Sequence, residues 1–577
     1  MSQINSALLS AAGRVSEAST ATARTGAQLL VDTLQANGVD RAFCVPGESY
    51  LAVLDALHDA PEIELAVCRQ EGGAAMMAEA YGKLTGRPGV CMVTRGPGAT
   101  NASIGIHTAF QDSTPMILFV GQVGRDMRDR EAFQELDYRR VFGQMAKDVL
   151  EIDDAARMPE IVSRAFYTAT AGRPGPVVIA LPEDMLRDVA EAAAPRPCQP
   201  VETDIGQPEL ARLKDLLAAA ERPFLIVGGG GWSAEAAADL EAFATAHKVP
   251  VGASFRCQDY IDNSHPLYAG HVGVGIDANL GRRVREADLL IVLGARLGEM
   301  TTSGYTLLDV PAPRQVLVHV HADAEELGRV YRPDLGINAS LGRFARALRG
   351  LQAPAACRWD GWASEARREF EAYVQPTEVP GEVNLGRVVA ALREVLPPEA
   401  IVTNGAGNYA TFVHRFHLYR RFRSQLAPTS GSMGYGLPAA VAAQLVHRDR
   451  PVVCFAGDGC FMMTCQEFTT AVRYDLPIVV VVANNGMYGT IRMHQERDYP
   501  NRVSGTDLVN PDFARFAEAC GGHGELVERT EDFAAAFARA RASGKAAIIE
   551  LRIDPEALTP NASLSQIRDG AAGKKKR

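Results

Sequence analysis

The sequence predicts an α/β protein made of three consecutive doubly wound parallel-sheet domains, and three observations carry that prediction. Short apolar runs recur along the chain, at residues 90–94, 116–120, 177–181, 224–227, 289–293, 452–456 and 478–483. Runs of this kind read as strands buried on both faces, as a parallel sheet requires. Amphipathic stretches such as 26–36 and 234–246 fall between them and give the alternation of βα units. Two segments without periodicity, 192–208 (rich in Ala and Pro) and 375–382 (rich in Pro, Gly and Glu), divide the 577 residues into pieces of domain size.

The predicted order is a flexible amino-terminal segment (1–24), a first domain (25–190), a central nucleotide-binding-like domain (205–350), a third domain (385–555) and a carboxyl-terminal tail (556–577). The opening residues are rich in Ala, Ser and Thr and lack the apolar stretch of a secretion signal. The first and third domains are alike in size and alternation, which permits a duplication without establishing one.

Composition narrows the function classes. With 47% apolar and 22% charged residues the chain is ordinary for a soluble globular protein. A formal charge of −10 offers no basic footprint for nucleic acid, and the dense cationic run Lys574 to Arg577 reads as a solvated tail. No apolar run is long enough to cross a bilayer. The ten cysteines include no C-x-x-C pair, and Cys44, Cys91 and Cys454 sit in apolar runs, so a reducing cytoplasm is expected.

The most informative segment is in the third domain. Gly457-Asp458-Gly459 follows the run 452–456, and Asn484-Asn485 follows the run 478–483. A strand end, a glycine turn and a helix start present backbone N–H groups and a positive helix terminus to a diphosphate. Asp458 adds a carboxylate and Asn485 an amide oxygen, both hard ligands suited to magnesium. Their separation of 485 − 458 = 27 residues fits one helix-and-strand passage, so both emerge at carboxyl ends of strands in one sheet. GDG alone is no more than a tight turn; the combination with Asn-Asn after an apolar strand is specific. In the first domain, Arg69-Gln70-Glu71-Gly72-Gly73-Ala74-Ala75 opens a helical stretch, where Glu71 by itself is an acid favoured by the helix dipole.

Together these segments resemble the thiamine-diphosphate enzymes, and within them the acetolactate synthase group. The resemblance covers nearly all of the chain after the first two dozen residues and implies the three-domain architecture of that family. It implies thiamine diphosphate and Mg2+ as cofactors, with Asp458, Asn485 and the Met487 carbonyl on the metal and Gly457 and Gly459 at the diphosphate. Glu71 matches the acid that shares a proton with the pyrimidine N1′ of the cofactor, and Gly47 also falls at the cofactor. Within Gly431-Ser432-Met433-Gly434, Met433 matches the residue wedged between the cofactor rings; read alone it is a gap-filling core methionine. Gly96-Pro97-Gly98-Ala99-Thr100-Asn101 matches a loop of the first domain, Phe133 and Gln134 match a substrate-lining segment, and Lys147 matches a basic residue of the group.

Three departures bear on substrate and cofactor. Glu48 in Pro46-Gly47-Glu48-Ser49 replaces a glycine, and either meets the reacting carbon as an acid–base or polar contact, or faces outward toward a cation. His494 replaces a tryptophan of the acceptor pocket, and is either a proton carrier there or a solvent-facing helical histidine. In the central domain, Gly294-Ala295-Arg296-Leu297-Gly298-Glu299 and His321 depart from the flavin-binding pattern, although Val227-Gly228-Gly229-Gly230-Gly231 suits a nucleotide turn. FAD is then structural, replaced by another adenine nucleotide, or absent, and the departures favour absence.

The expected activity is a carboligase that decarboxylates a pyruvate-like 2-oxoacid and adds the enamine to a second carbonyl. The alternative is a decarboxylase or C–C lyase acting on aryl or acyl-CoA substrates, and a distant third is a nucleotide-dependent oxidoreductase. The resemblance also implies a homodimer or homotetramer, with Glu71 of one chain meeting the diphosphate site of another.

Overall fold

The structure is a computed structural model that describes residues 23–353 and 357–575. Nearly all of the segment 1–24, and the end of the basic run Lys574 to Arg577, lie outside the described residues. Three six-stranded sheets follow one another along the chain, every strand pair within them parallel, with helices on their faces.

The first sheet holds β1 (Arg41–Cys44), β2 (Glu64–Val67), β3 (Gly89–Val93), β4 (Met116–Gln122), β5 (Asp148–Glu151) and β6 (Pro176–Pro182), in the order β2-β1-β3-β4-β6-β5. The central sheet holds β7 (Pro223–Val227), β8 (Val251–Ser254), β9 (Tyr268–Val272), β10 (Leu289–Leu293), β11 (Val316–His321) and β12 (Leu335–Asn338), ordered β9-β8-β7-β10-β11-β12. The third holds β13 (Ile401–Asn404), β14 (Gln425–Leu426), β15 (Val452–Gly457), β16 (Val479–Asn484), β17 (His523–Val527) and β18 (Ala547–Arg552), ordered β14-β13-β15-β16-β18-β17. Counting strands within each sheet, the first and third share one order, 2-1-3-4-6-5. The central sheet is 3-2-1-4-5-6, the dinucleotide-fold order.

Near-continuous apolar sequence explains the central strands: every residue of β4, β6 and β10 is buried. One apolar core runs through the first and third units. In it the helix Glu71–Thr85 packs against Gly96–Asp112 and against Gly436–Val446, all three rich in Ala and Gly. Small residues let these backbones close up: a Cβ on Gly105 would stand 2.4 Å from the Ala75 Cβ, and one on Gly82 would stand 2.4 Å from the Pro115 carbonyl. The central unit has its own core. After residue 555 the chain runs into the helix Leu564–Lys575, whose Leu564 is buried with Leu558 and Met487. Among the described residues no helix is long and apolar enough to cross a membrane.

Candidate active site

Register decides what the third sheet presents. Gly457 of β15 pairs with Ala483 of β16, so Asp458 and Asn484-Asn485 leave adjacent strands side by side at their carboxyl ends. A cavity of about 230 Å³ opens there, lined among others by Met433, Gly457, Asp458, Gly459, Asn485 and Met487. Two helices, Tyr409–Phe416 and Gly489–Asp498, begin at its wall, where Tyr409, Gly489 and Thr490 also line it. Their positive dipole ends make this pole of the cavity a place for anionic oxygens.

The Asp458 carboxylate is 2% exposed. One oxygen accepts from the Gly459 N–H at 2.8 Å; the other accepts from the Gly486 N–H at 2.9 Å and from the Asn510 amide at 2.8 Å. Burial pushes its pKa up, against the pull of those hydrogen bonds. The Asn485 side-chain oxygen accepts only a long 3.3 Å bond from the Met487 N–H. The Met487 carbonyl accepts from Gly489 N–H at 2.9 Å. Among the described residues no group of three or more His, Cys, Asp and Glu is placed for a metal, so a cation here would rest on one carboxylate, an amide and a carbonyl. That hard-oxygen set fits Mg2+ shared with a diphosphate. The second glycine of the turn is required by close packing, because a Cβ on Gly459 would stand 2.7 Å from the Tyr488 ring. Met433 lines the cavity and packs partly buried against the third unit's core.

The first unit assembles a second set of residues, also at carboxyl ends of its strands. Glu71 is the first residue of its helix, half-buried, and its carboxylate accepts from the Asn101 amide at 2.9 Å. Gln70 caps that helix by accepting from the Gly73 N–H at 3.0 Å. Gly47 follows β1, where a Cβ would stand 2.5 Å from the Thr94 side chain, and Glu48 beside it is exposed with no ion pair among the described residues. Gln134 has left-handed backbone, φ 64°, and its carbonyl accepts from the Gly96 N–H at 3.0 Å. The Phe133–Gln134 loop is pinned by Glu135, which accepts from the Asp129 and Ala132 N–H groups, and Phe133 is 69% exposed. Gln134, Gly96 and Glu71 with Asn101 thus share one edge of the first sheet, but none of them lines the 230 Å³ cavity of the same chain.

His494 is on the helix Gly489–Asp498, four residues beyond Thr490, half-buried, with its Nδ1 buried and unpartnered; it too lies outside the cavity wall. Lys147 is occupied elsewhere: its ammonium donates to the Ala171 and Arg173 carbonyls at 2.7 Å each, and burial lowers its pKa to about 8.

Sequence reasoning passed over two groups. Asn510 donates to both Asp458 and Asn484, locking the two strand ends together. Glu467, fully buried, accepts the N–H groups of Arg69 and Gln70 and the Thr470 hydroxyl, so a third-unit carboxylate holds the turn that carries Glu71. Burial pushes its pKa up as well.

Three family descriptions match the chain in order: thiamine pyrophosphate enzyme N-terminal TPP binding domain over residues 24–141, central domain over 210–348, and C-terminal TPP binding domain over 405–551. The acetolactate synthase large subunit of Parasynechococcus marenigrum is 36% identical over 535 residues, covering 89% of this chain and 85% of that protein. The chain belongs to the thiamine pyrophosphate enzymes. Within that family it is similar to acetolactate synthases: isozyme 2 large subunit of Escherichia coli is 32% identical (89% of this chain, 92% of that one). The large subunit of Haemophilus influenzae is 30% identical over 95% of this chain and 97% of its own length. It is therefore a thiamine-diphosphate-dependent enzyme of the acetolactate synthase-like type, with a small-molecule substrate.

Proposed function

We propose that this enzyme is a Mg2+-dependent carboligase that decarboxylates pyruvate or a close 2-oxoacid and joins the remaining two-carbon unit to the carbonyl of a second molecule. From two pyruvates the products balance as one acetolactate and one CO2. The cavity at the ends of β15 and β16, with two helix starts and the Asp458–Asn485–Met487 oxygen set, carries this reading. Thiamine diphosphate, when bound, supplies the nucleophilic carbon and the electron sink for decarboxylation. Asp458, Asn485 and the Met487 carbonyl would hold Mg2+, Gly457 and Gly459 would admit the diphosphate, and Met433 would support the rings.

Glu71 would hold the proton exchanged with the pyrimidine ring, its carboxylate oriented by Asn101. Because Glu71 lines no part of its own chain's cavity, we read the site as composite: Glu71 of one copy completes the cavity of another, in a homodimer or a doubled homotetramer. Gln134 and Glu48, on the Glu71 edge, and His494 would then rim the substrate entrance, where the half-buried imidazole suits an acceptor carboxylate or a proton.

The central unit is read as flavin-free on its sequence, since Gly294 to Glu299 and His321 depart from the flavin-binding pattern. The crevice over its strand ends narrows to about 10 Å³ between Gly230, Gly294, His321 and Leu341, while Gly230, Ala322 and Leu341 also line an adjoining cavity of about 630 Å³. At the narrow end Arg173 donates to the Ser113 hydroxyl at 2.9 Å. All ten cysteines are free thiols, which supports a cytoplasmic location.

Incubation of purified protein with thiamine diphosphate, Mg2+ and pyruvate alone tests the proposal, with acetolactate and CO2 quantified. Equal amounts are expected; CO2 with free acetaldehyde and no acetolactate would overturn it in favour of a simple decarboxylase. Flavin absorbance in the pure protein would overturn the reading of the central unit.

A further inference from the structure

The loop that carries Phe133 and Gln134 is strained, and a buried arginine holds it in that state. Between residues 129 and 134, Asp129 (φ 60°), Glu131 (φ 51°) and Gln134 (φ 64°) all have left-handed backbone. Such a conformation is unfavourable for a residue with a Cβ and persists only where surrounding contacts over-determine it. The first part of the loop restrains itself, through the Glu135 carboxylate and the N–H groups of Asp129 and Ala132. The second part is restrained from the sheet.

Arg95 stands just beyond β3, at the residue before the helix Gly96–Asp112, and its side chain is 9% exposed. One guanidinium nitrogen donates to the Glu183 carboxylate at 2.5 Å and another to the Phe133 carbonyl at 3.3 Å. The next residue, Gly96, donates its N–H to the Gln134 carbonyl at 3.0 Å. A Cβ on Gly96 would stand 2.9 Å from that carbonyl, so the approach needs glycine. Glu183 directly follows β6, and its own N–H donates to the Gln122 carbonyl at the end of β4 at 3.1 Å. The anchor of Arg95 is thus part of the sheet. The Gln122 amide holds the far end of the loop, donating to the Leu136 carbonyl at 3.0 Å.

Two successive carbonyls of the loop are therefore gripped by two successive residues. The Phe133 carbonyl lies in the peptide plane before the Gln134 Cα, and the Gln134 carbonyl in the plane after it. Peptide groups are planar, so holding both oxygens fixes φ and ψ of Gln134 and with them the exit of its side chain. Packing alone does not call for this arrangement. Burying a guanidinium–carboxylate pair costs desolvation, and an apolar side chain of similar volume often packs as stably or better. What the guanidinium adds is direction, since its donors are set in a rigid fork.

We propose that Arg95, anchored by Glu183, is the positioning residue of the substrate-entrance loop: with the Gly96 N–H it orients the two peptide planes flanking Gln134 and so decides where that side chain meets the substrate. Arg95 lines no part of the catalytic cavity of its own chain and acts through the loop. The inference rests on the reading that Gln134 rims the entrance of the composite site.

The test is a double-mutant cycle in the enzyme loaded with thiamine diphosphate and Mg2+, with hydrogen exchange of the same proteins followed by mass spectrometry. Arg95→Met should lower kcat/KM for pyruvate by about tenfold. Gln134→Ala should lower it too, and the double variant should fall no more than about twofold below Gln134→Ala alone. Arg95→Lys, which keeps the charge without the fork, should recover only part of the loss, and Glu183→Gln should lose less than Arg95→Met. The half-saturating concentration of thiamine diphosphate should stay at the wild-type value in every variant, which a general loosening of the first unit would not allow. Exchange at the Gly96 amide should quicken by at least about tenfold in Arg95→Met, while the Asp129 and Ala132 amides keep their rates.

If Arg95→Met does not fold, Arg95→Lys and Glu183→Gln carry the same cycle. Equal losses from Arg95→Met in the wild-type and Gln134→Ala backgrounds, or wild-type exchange at Gly96 in folded Arg95→Met, would overturn the proposal. An unaltered kcat/KM in Gln134→Ala would remove both the proposal and the reading of the entrance beneath it. Exchange needs no substrate, so it judges the grip on the loop even where pyruvate is not turned over. In that event the cycle runs on the 2-oxoacid that the enzyme accepts, and the failure belongs to the pyruvate reading alone.

Discussion

Replacing Asp458 with Asn separates what this carboxylate does for the fold from what it does for the cofactor. In the ligand-free protein its oxygens face three donors, one on the first and two on the second. An Asn side chain can keep its oxygen toward Gly486 and Asn510 and set its NH2 against the Gly459 N–H. That leaves one donor unsatisfied, a cost of about 1–3 kcal/mol. The same change removes a buried charge whose pKa burial has raised, a gain that offsets part of the cost. The net loss without ligand should therefore stay below about 2 kcal/mol. With thiamine diphosphate and Mg2+ the balance differs, because the only side-chain charge among the candidate metal ligands is gone. Partners in the outer shell of a metal are already worth about 10–100-fold in affinity, so a direct ligand should cost at least about 100-fold. At a cofactor concentration of 100 times the wild-type Kd, stabilisation by binding should fall from about 2.7 to about 0.4 kcal/mol. Thermal melting with and without thiamine diphosphate and Mg2+ reads both quantities. A full cofactor-dependent rise in Tm for Asp458→Asn would refute the assignment of Asp458 to the metal.

The composite site predicts that Glu71→Gln and Asp458→Asn, each inactive alone, regain about a quarter of wild-type turnover when co-refolded, since half the dimers then carry one intact site. Glu467→Ala strands the N–H groups of Arg69 and Gln70 and should cost about 2–4 kcal/mol by denaturant unfolding, while Glu467→Gln, which keeps an acceptor, costs less. Burial holds His319 at a pKa of about 4. A depressed value means that its contribution is complete above the unfolded value near 6.5 and is lost as pH falls toward 4, an effect of up to about 3 kcal/mol. His319→Gln should flatten the loss of stability between pH 6.5 and 4, and an unchanged slope would exclude His319 as its source.

Local signals explain what was legible in the sequence. Asp458 and Asn485 each follow an unbroken apolar strand, and strand ends of one parallel sheet lie together by construction, so their convergence needed no knowledge of tertiary packing. Asn510 comes from a loop 52 residues after Asp458, and Glu467 reaches the Glu71 turn across 397 residues. Neither sits in a periodic pattern, and contacts of that separation are set by how the first and third units pack. For Lys147 the sequence offered only a match to a basic residue of the group; its partners, the carbonyls of Ala171 and Arg173, lie more than twenty residues on and are set by packing. The tail expected after residue 555 carries a helix that packs behind Met487, a contact invisible to composition because the segment is short and mixed.

The tight seam around the Glu71 helix limits where this enzyme can change. A methyl group at Gly82 or Gly105 already has no room, so almost any enlargement there must push the Glu71–Thr85 helix away from the Gly96–Asp112 helix and the Thr114–Pro115 turn inside the first unit. On the proposed reading of the entrance, new substrate ranges would be sought on the periphery instead, at Glu48, in the exposed turn that carries Phe133 and Gln134, and along the His494 helix. Mutant libraries confined to those rims should yield altered selectivity with the scaffold intact, whereas libraries in the seam should return mostly unfolded protein.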